Sequence, residues 1–221
     1  MSTKSPDGAR LSIRRIPRRA RAVVLLLHGG GEGSGSIRTG WWYPAVLRMH
    51  PLDWAIARHL PHAAVVQLRF AVTTWNDGRD PVCDLRWALG RIHVRAPGLP
   101  VVLVGHSMGA RAALFGLADP AVRGAVLLSP WISEDDPAEG TDEQLIVAIQ
   151  ADTDTVAPPP QAFPWLSKAE RRGARIHRTT LARTDHSMIR RAGTWHRLTA
   201  EAVDRVLLFA GVTAGWGGRA R

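Results

Sequence analysis

Short, unbroken aliphatic runs recur along the chain, and most are followed by a stretch whose apolar residues fall at helical spacing. The runs are "AVVLLLHGG" (22–30), "AAVVQLRF" (63–70), "PVVLVGHS" (100–107), "GAVLLSPW" (124–131) and "QLIVAIQAD" (144–152), with "ARIHRTTL" (174–181) a weaker sixth. Continuous rather than alternating apolar residues imply strands buried on both faces, as in a parallel sheet covered by helices. Helices are predicted at "PLDWAIARHL" (51–60), at "PVCDLRWALGRIH" (81–93), after Ser107, at "FPWLSKAERRG" (163–173) and at "TWHRLTAEAVDRVLLFA" (194–210). The second places Leu85, Ala88, Leu89 and Ile92 on one face, and the third does the same with Ala110, Ala113, Leu114 and Leu117. Strand and helix alternating at this spacing predict an α/β fold with a doubly wound, mostly parallel sheet flanked by helices.

This pattern places a single domain at 22–210, with a basic, flexible arm at 1–21 and a frayed tail at 211–221. At 221 residues, 45% hydrophobic and 22% charged, the composition is that of an ordinary globular protein. No apolar run approaches the roughly 18 residues of a membrane-spanning helix. Cys83 is the one cysteine, which excludes an intrachain disulfide framework.

A net charge of +10 raises the question of a nucleic-acid partner. Residues 1–21 hold seven Lys/Arg and a single acid, Asp7, so +6 of that charge lies in the arm. The rest is close to balanced and shows no basic stripe interleaved with aromatics, so no specific nucleic-acid partner is expected. In "IRRIPRRARAVVLLLHGG" the apolar part is shorter than the roughly 7–15 residues of a signal h-region, and it ends in His-Gly-Gly. It reads as the first core strand, and a cytoplasmic location is expected. Oligomeric state is left open.

The chemistry centres on "VVLVGHSMGA" (101–110), where a serine stands between two glycines at the end of a strand. Such a Ser can be part of a tight turn or a nucleophile. The second reading needs strand, sharp turn and helix in succession, with Gly105 and Gly109 removing Cβ atoms that would collide with neighbouring elements. Ser107 then sits at a helix N-terminus, where the Met108 amide can face a developing oxyanion.

A serine hydroxyl also needs a base, and the base an orienting acid. The order to expect is Ser, an acid after a later strand, then His before the last helix. "IQADTDTVAPP" supplies Asp154, with Asp152 the competing choice, and "ARTDHSMIRR" supplies His186. Asp185 reads as a surface or capping group and His106 as packing within the elbow. His28 reads as a brace for the glycine loop "HGGGEGSGS" (28–36), which can give a second oxyanion donor. A phosphate-cradling loop is the weaker reading, because no Lys-Ser/Thr follows and the spacing is not G-x-G-x-x-G. His59 and His62 lack further ligands, so no metal site is predicted.

"LLLHGGG", "VLVGHSMG", "ADTDTVAP" and "DHSM", in this order and on these elements, resemble the α/β-hydrolase superfamily. The likeness covers most of 22–210 and is similar to compact esterase and dienelactone-hydrolase-like members. It implies Ser107 as nucleophile, Asp154 as acid, His186 as base, and Met108 and Gly30, with Gly31, as oxyanion donors. Two departures stand out. The two antiparallel strands that usually open the fold are barely visible before residue 22, and Ser at the elbow excludes a cysteine-nucleophile dienelactone hydrolase.

Only "ISEDDPAEGTDE" (132–143) separates two strands where many relatives carry a helical lid, so a minimal fold with no lid domain and an open site is expected. The 32–50 segment reads as a long loop that can drape over the site. Trp41, Trp42, Tyr43, Trp75 and Trp131 fall beyond strand C-termini and are candidate walls of a substrate pocket. The expected activity is cleavage of a small ester-like substrate, a carboxylic ester or thioester, through an acyl-enzyme with no metal or organic cofactor. The alternatives are the same fold acting on another bond, by C–C hydrolysis or perhydrolysis, and a non-catalytic binding protein.

Overall fold

Sheet structure begins earlier than the aliphatic runs predict. In the computed structural model, which describes residues 2–139 and 141–212, Ser2–Lys4 forms β1 and Arg10–Arg15 forms β2. Two strands thus lie within the stretch expected to be a basic, flexible arm. β2 pairs antiparallel with β4 (Ala63–Arg69), setting Leu11 opposite Leu68 and Ile13 opposite Val66. Leu11 and Ile13 supply an alternating apolar face too short to stand out among arginines.

The remaining strands follow the predicted runs closely. β3 is Ala22–Leu27, β5 Val101–His106, β6 Val122–Leu128, β7 Leu145–Ala151 and β8 Arg175–Leu181. The eight-stranded sheet has the order β1-β2-β4-β3-β5-β6-β7-β8, parallel from β4 onward. β8 gave the weakest apolar signal because it is the outer strand and buries little of itself.

Among the described residues the α-helices are α1 (Pro44–His59), α2 (Arg79–Arg95), α3 (Met108–Leu114), α4 (Phe163–Arg171) and α5 (Ala192–Phe209). α1 and α5 cover one face of the sheet, and α2, α3 and α4 cover the other, giving two apolar layers. α1 starts seven residues before the predicted 51, so the 32–50 segment is loop only in its first part. Pro44 opens the helix where its missing N–H is harmless, and Ala45, Val46, Met49, Leu52 and Ile56 keep a buried face running past Pro51.

Between β6 and β7 no helix forms among the described residues, so no lid domain covers the strand ends. Gly211 and Val212 extend α5 with backbone hydrogen bonds, while the rest of the predicted frayed tail lies outside the described residues. Among the described residues no helix is long and apolar enough to cross a membrane.

The strand order reverses between β3 and β5, since β3 leads outward to β4 while β5 begins on its other side. Loops leaving these two strands must part there, and the crevice they leave is where such sheets place their ligands. Leu27 pairs with Gly105, so both strands end at the same height and their loops face each other.

Candidate active site

Ser107 joins β5 to α3 with φ 54° and ψ −118°, a conformation that side-chain-bearing residues rarely adopt. Its neighbours explain how the turn is held. A Cβ on Gly105 would lie 2.4 Å from the Gly109 carbonyl oxygen, and one on Gly109 would lie 2.3 Å from that of Leu27. Both contacts are with backbone, which cannot step aside. The Ser107 amide donates to Leu128 of β6 at 3.0 Å, anchoring the turn to the adjacent strand.

The predicted partners converge on this serine. His186 Nε2 lies 2.9 Å from Ser107 Oγ, and His186 Nδ1 lies 2.8 Å from Asp154 Oδ2. With Nδ1–H donating to the carboxylate, Nε2 is left to accept the serine proton. The Asp154 side chain is fully buried while that of His186 is 17% exposed, so solvent can reach His186 but not Asp154.

Asp154 Oδ1 accepts from the amides of Val156 (3.0 Å) and Ala157 (2.8 Å). Burial works to raise its pKa, but the His186 hydrogen bond and charge and the Ala157 amide outweigh it and hold the carboxyl below its ordinary value. Asp152, the competing acid, instead accepts from the amides of Arg183 and Thr184 at 2.8 and 3.1 Å. Those bonds, first Arg183 and then Thr184, hold its pKa low, and they tie the end of β7 to the loop carrying His186. Asp185 accepts from the Ser187 amide at 3.0 Å, the local capping role expected of it.

Opposite Ser107, the glycine loop leaves β3. His28 is buried and donates through Nδ1 to the Gly29 carbonyl (2.6 Å), while Nε2 accepts from the Phe70 amide (3.0 Å). Burial lowers its pKa to about 4, so it stays neutral and clamps the loop to the end of β4. A Cβ on Gly30 would sit 2.5 Å from Met108 Sδ and 2.6 Å from the Thr73 carbonyl oxygen, so Gly30 packs directly against the residue after the nucleophile. Gly31 does not fit the oxyanion role, because its amide already donates to the Thr73 carbonyl at 2.7 Å. That bond and the Gly31–Thr74 bridge fasten the loop beside the cleft.

The aromatic candidates divide. Trp75 packs in the core with Trp131 edge-on at 6.0 Å, and the Arg111 guanidinium lies 4.6 and 4.7 Å from their ring centres. Arg111, one helical turn beyond Ser107, also pairs with buried Asp136 at 2.8 Å. Trp75 and Trp131 thus brace α3 through Arg111. Tyr43 meets His28 edge-on at 6.1 Å. Trp41 and Trp42 line a cavity whose walls include none of Ser107, Asp154 and His186. It lies beside the β2–β4 pair, because the turn into α1 carries the two indoles outward over that part of the sheet.

One participant was read only as packing. His106 Nε2 lies 2.8 Å from the His186 carbonyl oxygen, so the residue before Ser107 holds the loop that carries His186. Its position inside the elbow is visible in sequence, but its partner lies 80 residues away. Among the described residues no three His, Cys, Asp or Glu side chains gather as a metal site.

Residues 24–220 match the model of the Alpha/beta hydrolase family. No curated relative matches the sequence. Similar solved structures include an alpha-beta serine hydrolase homologue from Coxiella burnetii, 16% identical, covering 91% of this chain and 95% of that one at TM-score 0.69. A lidless serine hydrolase from Xanthomonas campestris is 18% identical, with 93% of each chain covered and TM-score 0.66. An esterase from Thermogutta terrifontis with butyrate bound is 14% identical, with 94% and 91% covered and TM-score 0.71. At such identities the structural likeness concerns the fold, whereas the family model spans most of β3, all of β4 to β8 and both cleft loops, and on that ground the chain belongs to the alpha/beta hydrolase family.

Proposed function

We propose that the protein is a serine hydrolase that cleaves small carboxylic esters or thioesters through an acyl-enzyme. The observation that carries this reading is the unbroken hydrogen-bonded line from Ser107 through His186 to Asp154, centred on a strained elbow. His186 takes the Ser107 proton as Oγ attacks the substrate carbonyl, and Asp154 steadies the imidazolium that results. The tetrahedral oxyanion is held by the amides of Met108, at the start of α3, and Gly30. His186 then protonates the leaving alcohol or thiol, and a water deprotonated by the same imidazole releases the acid.

The absence of a lid helix between β6 and β7 among the described residues favours small, soluble substrates over ones that need an enclosed acyl tunnel. An acyl series should therefore begin at acetate and pass through butyrate, the group bound to the Thermogutta esterase. The test is labelling by a fluorophosphonate together with turnover of p-nitrophenyl acetate. Wild-type protein should label and turn over, and folded Ser107→Ala should do neither. A folded wild-type protein that neither labels nor turns over any ester in the series would refute the reading.

A further inference from the structure

The cavity holding Trp41 and Trp42 has a volume of about 760 Å³ and no role in the chemistry above. It opens at the end of β4, where β4 pairs with the start of β2. Arg10 and Arg69 are direct cross-strand partners in that pair, so two guanidinium groups leave opposed positions. Like charges set directly opposite each other destabilise a strand pair unless something neutralises them. Arg38 lines the same space; its guanidinium donates to the Asp7 backbone carbonyl, and its charge acts on the Asp84 carboxyl on the far side.

No Asp or Glu lines the cavity, and among the described residues neither Arg10 nor Arg69 is paired with a carboxylate. A smaller adjoining space of about 230 Å³ shares Arg10, Arg38 and Arg69 and adds Lys4. Two polar atoms on the wall are also unpartnered although buried: Arg69 Nε and Thr39 Oγ1, the latter on a residue only 6% exposed. A buried donor left without an acceptor is unfavourable, and here two of them accompany the facing charges of Arg10 and Arg69, which no carboxylate on the wall offsets. Burial, and then the charge of Arg10, push the Arg69 pKa below its ordinary value, which is the sign of a cation lacking its anion.

Trp41 and Trp42 form the other wall. Their indoles meet edge to face at 5.9 Å and remain 68% and 66% exposed, so large flat surfaces face solvent beside the cations. Several guanidinium forks suit a dianion with three terminal oxygens better than a single carboxylate, and the indoles suit a planar ring.

We propose that this cavity binds an organic phosphate monoester carrying a flat aromatic group, with the phosphate between Arg10, Arg38 and Arg69 and the ring on Trp41 and Trp42. The site is separate from the Ser107 cleft and does not depend on the activity proposed for it. Phenyl phosphate, inorganic phosphate and phenol, titrated against the full chain and followed by tryptophan fluorescence and melting temperature, test it. Phenyl phosphate should bind saturably and raise the melting temperature. Inorganic phosphate should bind at least several-fold more weakly, and phenol should not bind.

Arg10→Gln and Arg69→Gln should each weaken phenyl phosphate at least tenfold while leaving the unliganded melting temperature unchanged or higher, because repulsion between the pair is relieved. Ser107→Ala should bind as wild type does. The proposal is overturned by no saturable binding of phenyl phosphate up to about 10 mM, by phenol binding equally, or by binding that survives both arginine variants. It is equally overturned if binding is lost in Ser107→Ala, or if both arginine variants melt well below wild type without ligand, which would make the pair structural.

Discussion

His106 and His186 are joined by a 2.8 Å hydrogen bond between the imidazole Nε2 of the first and the backbone carbonyl of the second. A carbonyl can only accept, so His106 carries its proton on Nε2. Burial, then the nearby His186 charge, lower the His106 pKa to about 3, which keeps the ring neutral with that single N–H. The elbow that presents Ser107 therefore also fixes the loop that presents His186.

Replacing His106 with Leu should remove that donor and leave the His186 carbonyl unpaired, a loss of roughly 1–3 kcal/mol in a buried setting. The expected result is a kcat for p-nitrophenyl acetate lowered ten- to a hundredfold with KM within about twofold, as misplacement of a base predicts. His106→Gln, which retains an N–H donor, should recover part of the loss. Equal activity in the Leu and Gln variants would remove the positioning role.

Asp154 and Asp152 offer a sharper comparison, because both lie on the loop after β7 and only one touches His186. Asp154→Asn should lower kcat by about 10³–10⁴, since the amide no longer selects the tautomer that leaves Nε2 bare. Asp152→Asn should lower it far less and act mainly on stability, through the Arg183 and Thr184 amides. Steady-state kinetics on the two variants decide the assignment, and comparable losses in both would undo it.

The glycines of the elbow predict a failure of folding rather than of chemistry. Gly105→Ala and Gly109→Ala would each push a methyl into backbone at 2.4 and 2.3 Å. Each should lose several kcal/mol, about 3 or more by the scale of overpacked and strained sites. Expressed protein should melt far below wild type or appear only in inclusion bodies. Gly33→Ala is a control with a different cause, since nothing lies within 4 Å of its Cβ and only its φ of +87° penalises the change.

Local signals account for what could be read in the sequence. β3, β5, β6 and β7 are buried on both faces, so their aliphatic runs are unbroken, and Gly105 and Gly109 flank Ser107 for a reason that acts over a few residues. The misreadings share the opposite property. β2 is a short strand one in from the edge whose Leu11 and Ile13 gain meaning only from pairing with β4, and α1 continues through Pro51 because its buried face outweighs one missing donor. Gly31 resembles Gly30 in sequence, yet the Thr73 carbonyl has captured its amide. Trp41 and Trp42 stand immediately before α1 rather than just past the end of β3, and the turn into that helix sets them at the cavity beside the β2–β4 pair.

Opposing titrations at three buried groups should shape the dependence of stability on pH. His28 and His106 have folded pKa values of about 4 and about 3 against an ordinary 6.5, so below pH 6.5 the unfolded chain takes up protons that the fold refuses. Stability from these two is present above the unfolded value and lost as pH falls. Asp84 acts in the other direction. Burial, with Asp80 and Asp7 nearby, raises its pKa to about 6 from 3.8 despite the Ala71 amide it accepts and the charge of Arg38. The fold therefore holds its proton between about pH 4 and 6 and is destabilised by the ionised carboxylate above that window. Near pH 5 the two effects leave unfolding with a net uptake of about one proton, a slope of ~1.4 kcal/mol per pH unit. Asp84→Asn keeps an acceptor for Ala71 but removes the opposing titration. It should be more stable than wild type by about 1–2 kcal/mol at pH 8, converge with it near pH 4, and lose stability more steeply in between. Urea denaturation at pH 4, 5, 6 and 8 measures all three, and an Asn variant less stable than wild type at pH 8 would show that the buried carboxylate is held by a partner that favours its charge.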